Sequence, residues 1–189
     1  MHEERSVRLM RHTAPELENL VGPFYGSAAK LAVFDEVSAD EAPVVYRQLL
    51  DHDQHMTVTL ESFHDCPVNL EVLHRHITTE HYTRNTLLRR SSDGALVQFG
   101  IARLSYDFLD PSVANEIEAE DTPMGRILIG HNVLREVRLA SMWRLTPHEE
   151  MRRIFGTQAN AVTYGRTAII YCNGEPAVEV LEVMPPGLM

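Results

Sequence analysis

Several residue types are scarce in this chain, and each scarcity excludes something. Of 189 residues, two are cysteine, Cys66 and Cys172, one is tryptophan and one, Lys30, is lysine. Two cysteines cannot build a disulfide framework, so both read as reduced thiols in a cytoplasmic chain. No run approaches the ~18 consecutive apolar residues of a membrane-spanning helix. The start, Met1-His2-Glu3-Glu4-Arg5, carries two acids with no apolar core behind it, which is not the pattern of a secretory leader. Basic clusters are missing too. Against 27 acids stand 17 Lys and Arg, a formal charge of −10, and no basic run offers the clustered cations that phosphate neutralisation needs. Nucleic acid and membrane are therefore not expected partners.

What is present is an ordinary globular composition, 44% hydrophobic and 23% charged, at a length that favours one domain. Nearly every cation is arginine. Its planar fork grips a carboxylate bidentately, so the composition asks which carboxylates these arginines hold.

Residues 1–45 are weakly patterned, with a short amphipathic piece around Pro15–Val21 and a small-residue helix start near Ser27-Ala28-Ala29. They read as an N-terminal extension or packing arm ahead of a domain at 46–189. Val44–Leu50 has helical patterning, and Met56–Phe63 continues from it towards the sheet. Val68–Ile77, His81–Arg90 and Ala95–Leu104 read as strands, the last two joined by a turn ending in Asp93-Gly94. Asp110 caps a short helix at Pro111–Glu118. Thr122-Pro123 opens another, with Thr122 as the capping hydroxyl and Pro123 at the first helical position. Leu134–Leu145 is a strand. Thr146-Pro147 repeats the start signal, Glu149 completes a capping box, and the helix stops before Gly156. Asn173-Gly174 joins two final strands, Ala161–Cys172 and Glu175–Met184. The count gives an α+β fold, a six-stranded antiparallel sheet with short helices.

Period-two alternation puts Val178, Val180, Glu182 and Met184 on one face of the last strand, and Tyr82, Arg84, Thr86 and Leu88 together on an earlier one. An ionisable group among apolar neighbours costs several kcal/mol unless it is paired or neutralised. Arg84 and Glu182 therefore read either as a buried ion pair or as two ends of a ligand pocket. Pattern alone leaves both open.

Four segments in order resemble the chorismate pyruvate-lyase family, whose enzymes make 4-hydroxybenzoate, and its lyase-like relatives. His55-Met56-Thr57 stands where that family has Ser-Met-Thr. Tyr82-Thr83-Arg84-Asn85 stands for its Trp-Leu-Arg-Glu, and Thr122-Pro123-Met124-Gly125-Arg126-Ile127-Leu128 is close to its Thr-Pro-Leu-Gly-Arg-x-Leu. Tyr164-Gly165-Arg166, Asn173-Gly174-Glu175-Pro176 and Leu181–Pro186 resemble its Gly-Arg strand, turn and closing Glu-x-x-x-Pro. The resemblance implies helical flaps over a buried ligand. It makes Arg84 the clamp on a ring carboxylate, Glu182 the acid near the breaking ether bond, and Met56 and Met124 flap positions whose backbone touches the ligand. It implies a cofactor-free lyase that eliminates pyruvate from chorismate or a similar acid, with no metal. A dry site would keep Glu182 protonated for that role. The expected partner is a small aromatic or cyclohexadienyl carboxylic acid. A second class fits the same fold: a non-catalytic sensor or binding domain for such an acid.

Six histidines, His52, His55, His64, His74, His76 and His81, crowd into thirty residues without the three or four convergent ligands of a metal centre. They read as surface or flap histidines. The acidic run Asp107–Asp121 reads as a solvated loop and helix.

Overall fold

The computed structural model describes residues 15–188. Its frame is one antiparallel sheet of seven strands. In chain order these are β1 (Ala32–Val37), β2 (Val68–Ile77), β3 (His81–Arg90), β4 (Leu96–Ser105), β5 (Arg135–Pro147), β6 (Thr163–Cys172) and β7 (Glu175–Val183), in the spatial order β1-β5-β6-β7-β4-β3-β2. The expected six strands are therefore seven. The extra one is β1, Ala-Val-Phe-Asp-Glu-Val, which lies in the weakly patterned N-terminal stretch and pairs with β5 from Ala32↔Pro147 to Val37↔Met142. An edge strand with a half-exposed pattern, joined by no hairpin to its partner, leaves little periodic signal.

Helices cover both faces. On one lie α1 (Leu17–Tyr25), α2 (Ala28–Leu31) and α7 (Glu149–Phe155), burying Leu20, Val21, Leu31 and Met151 against Leu87, Phe99, Ile101, Leu181 and Val183. On the other lie α3 (Val44–Leu50), α4 (Met56–His64), α5 (Pro111–Glu118) and α6 (Met124–Gly130). Here the packing splits in two. α3 and α4 pack with Leu88, Val97 and Met184, while α5 and α6 pack with Leu104, Val178 and Val180. The acidic run is thus more than solvated chain, because its helix α5 buries Val113, Ala114 and Ile117 under its charges.

Two expected helix starts differ. Pro123 itself occupies the cap of α6, so the Thr122 hydroxyl does not cap it. β5 runs on through Pro147, and His148 precedes α7 with no side-chain cap, so there is no capping box. Met56–His64, expected to lead towards the sheet, is helical. The final hairpin turns on Asn173 and Gly174, both with positive φ (52° and 87°), the primed geometry that matches strand twist.

Gly165 lets β6 lie against β7. A Cβ there would stand 2.7 Å from the Glu182 carbonyl oxygen and 3.0 Å from the Val183 side chain. Gly165→Ala is expected to destabilise the fold by ~1–3 kcal/mol, as overpacking does. Urea denaturation of the variant checks this.

Candidate functional site

Where the two helical groups part, they leave a cavity of about 60 Å³ against the sheet. Its floor comes from β3, β4, β6 and β7: Arg84, Thr86 and Leu88, then Gln98, Gly100 and Ala102, then Arg166 and Ile170, then Val180 and Glu182. Its roof comes from the start of α4, His55-Met56-Thr57, and the start of α6, Pro123-Met124-Gly125. Neither helix has a side-chain cap. The two starts touch. A Cβ on Gly125 would sit 3.1 Å from Thr57 Oγ1 and 3.4 Å from His55 Cβ. Farther along, the Arg126 guanidinium donates to the Glu61 carboxylate and ties α6 to α4 across the roof.

All four expected site residues, Arg84, Glu182, Met56 and Met124, line this one cavity. Of the two readings open for Arg84 and Glu182, a mutual ion pair is not formed, while both line one cavity. Register explains why: Glu182 lies directly opposite Arg166 on β6, whereas Arg84 lies opposite Ala102 on β4, which in turn faces Val180. Arg166 Nε donates to Glu182 Oε2 at 2.7 Å, and both side chains are buried. The remaining Arg166 donors reach three backbone carbonyls of the α3–α4 connection, Leu50 at 3.0 Å, His52 at 2.7 Å and Gln54 at 3.4 Å. A guanidinium therefore faces Glu182, where the expected protonated acid called for an apolar wall.

Arg84 has a different environment. It is 2% exposed. One terminal nitrogen donates to the Ile117 carbonyl at the end of α5, at 3.0 Å, and its Nε has no partner. Among the described residues no carboxylate lies within ion-pair distance of it. Burial lowers its pKa from the usual arginine value, against the opposing pull of Tyr82 and Glu120. Nearby, the Tyr82 hydroxyl donates to Glu120 at 2.7 Å, which anchors the loop between α5 and α6. Burial and that bond push the tyrosine pKa upward.

Two further residues of the cavity carry unsatisfied groups, His55 Nε2 and Gln98 Oε1. Burial, with Arg135 and Arg166 nearby, lowers His55 to about 4, so the imidazole is neutral at pH 7. Sequence reasoning placed His55 among surface or flap histidines. It sits at a flap start, but 7% exposed and inside the cavity. Neither Gln98 nor Arg166 stood out as a site residue, since a polar residue on a strand is unremarkable until register shows which face is roofed. No three His, Cys, Asp or Glu among the described residues converge as a metal site. No helix among them is long and apolar enough to cross a membrane.

No family model and no curated protein matches the chain. Solved structures do. PhnF from Mycobacterium smegmatis superposes with a TM-score of 0.53 at 9% identity, over 69% of this chain and 63% of that one. The chain thus spans less than two thirds of that protein's length. The PhnF C-terminal domain gives a TM-score of 0.45 at 9% identity, covering 62% of this chain and 82% of that one. A possible transcriptional regulator, YydK from Bacillus subtilis subsp. subtilis str. 168, gives 0.46 at 14% identity, covering 65% and 59%. The fold is chorismate lyase-like.

Breaking the buried pair has a foreseeable cost. Glu182→Leu is expected to lose ~3–5 kcal/mol, because it strands the Arg166 charge. Glu182→Gln should lose distinctly less, since its amide oxygen still accepts from Arg166. Chemical denaturation of the two variants side by side checks the order.

Proposed function

We propose that this chain is a binding or sensing domain for a small carboxylic acid, held in the roofed cavity by Arg84. One observation carries the reading: a buried guanidinium with an idle Nε and no carboxylate lines the same cavity as two other unpaired polar atoms, His55 Nε2 and Gln98 Oε1. Buried polar atoms are almost always paired, so three orphans around one cavity mark an absent partner. A carboxylate accepts from guanidinium N–H groups with charge-assisted strength. The apolar wall of Leu70, Leu88, Val137, Ile170 and Val180 suits a compact hydrocarbon body.

The fold supports the sensing reading. A chorismate lyase-like fold accommodates ligand binding or sensing as readily as lyase activity. The lyase reading, elimination of pyruvate from chorismate, requires a group that can give or take a proton at the ether oxygen. Glu182 is the acid in place, and it is committed to Arg166 at 2.7 Å. An aromatic acid remains within the proposed class on one condition. At about 60 Å³ the cavity is smaller than the roughly 150 Å³ that takes up benzene, so a ring enters only as α4 and α6 part.

Calorimetric titration with small monocarboxylates from acetate to the hydroxybenzoates tests the proposal, alongside incubation with chorismate followed by pyruvate release. Binding of at least one acid without pyruvate release is the expected result. Steady pyruvate release would replace this reading with the lyase. Arg84→Met is expected to abolish acid binding while the ligand-free protein melts no lower than wild type, because a buried charge without a carboxylate is a cost the fold carries for its ligand. A large drop in melting temperature would instead make Arg84 a structural residue.

A further inference from the structure

Resting on that reading, we infer that the cavity selects a monocarboxylate bearing a second, uncharged hydrogen-bonding group, and that His55 and Gln98 determine this specificity. Arg166 and Glu182 cancel one another at 2.7 Å, and the remaining donors of Arg166 are taken up by backbone carbonyls. Among the described residues lining the cavity, Arg84 is then the one arginine outside any ion pair, with Glu120 acting on it only from beyond pairing distance. One carboxylate neutralises it. A second carboxylate would find no unpaired cation in the cavity lining, since Arg135, which acts on His55, is not part of that lining, and leaving the carboxylate unpaired there costs several kcal/mol.

The other two orphans define what the ligand carries in place of that second charge. Gln98 lies four residues from Ala102, the residue opposite Arg84, so its backbone is about 13 Å along β4 from the clamp's row. Its side chain folds back over Gly100, where an added Cβ would meet its Nε2 at 3.2 Å and Thr86 Oγ1 at 3.1 Å. That brings the amide towards the centre of the floor. Its Oε1 is an acceptor without a donor. From the roof, His55 Nε2 lies in the same cavity and also lacks a partner. A neutral imidazole and an amide together suit a hydroxyl or a primary amide, each of which both donates and accepts. They offer no cation to a second carboxylate. Sites that hydrogen-bond a ligand group reject analogues lacking it far more strongly than apolar pockets reject a change of size, because the protein's own groups are left unpaired.

Isosteric acid pairs separate charge from shape. Wild type is titrated at pH 7.5 with succinate against its monoamide succinamate, and with terephthalate against 4-carbamoylbenzoate. Each pair matches in shape and differs by one charge. The expected result is that the monoamide binds at least tenfold more tightly than its diacid in whichever pair the cavity admits. His55→Lys, which adds a cation at the roof, should erase or invert that preference. Since a buried lysine can unfold the chain, Gln98→Leu serves as the second variant and should bring monoamide binding at least tenfold towards that of the diacid. Diacids binding as tightly as their monoamides in wild type would overturn the inference and leave the acid-binding reading standing. Failure of all four probes and of the simple monocarboxylates, with the protein folded, would sink both.

Discussion

The Arg166 side chain holds the site together. It is the largest fully buried side chain among the described residues, at 1% exposure, and it joins parts of the chain more than a hundred residues apart. One edge of its fork meets Glu182 on the neighbouring strand, and the rest gathers the Leu50, His52 and Gln54 carbonyls. Those carbonyls belong to the connection that ends at His55, the cap of α4. The position of the roof therefore depends on a guanidinium rooted in the floor. A lysine could not replace it, because a single ammonium cannot satisfy a carboxylate and three divergent carbonyls in one fixed plane.

This arrangement divides the labour of two buried arginines. Arg166 is saturated, and its charge is spent on architecture. Arg84 is also buried, yet it has one carbonyl bond, an unpartnered Nε and no carboxylate within ion-pair distance among the described residues. A fold optimised only for stability would place an apolar residue there. Keeping an uncompensated cation out of water makes sense where a ligand regularly supplies the missing anion. The same contrast bears on chemistry. Glu182, the acid in the cavity wall, is held by Arg166 at 2.7 Å.

Much of the scaffold could be read in the sequence because its signals are local. Val44–Leu50 and Pro111–Glu118 carry their own periodicity, and Asp110 accepts from the Ser112 N–H as a cap should. Asn173-Gly174 supplies the two positive φ values its hairpin needs. Alternation also placed Arg84 and Glu182 on the correct face, as their shared cavity shows. What escaped depends on which strands are neighbours. β1 pairs with a strand a hundred residues away, and Glu182 finds Arg166 because β6 and β7 align at that row. Face is a property of one strand, whereas partnership is a property of two. His55 and Gln98 were illegible for a related reason: an orphaned atom is defined by what fails to surround it, and surroundings are tertiary.

The net charge of −10 looks at first like an obstacle to binding an anion. Long-range repulsion does slow the approach of an anionic ligand, and ordinary salt screens it beyond about 10 Å. Affinity is decided elsewhere. On the proposed reading, an acid inside the roofed cavity would meet a guanidinium that is already buried, so little further desolvation of that group would oppose the contact, and the low local polarisability would strengthen it. The surface acids and the buried arginine thus act on different quantities, the first on the rate of arrival and the second on the stability of what has arrived. An acidic protein can hold an acid firmly when the one cation that matters is kept dry and waiting.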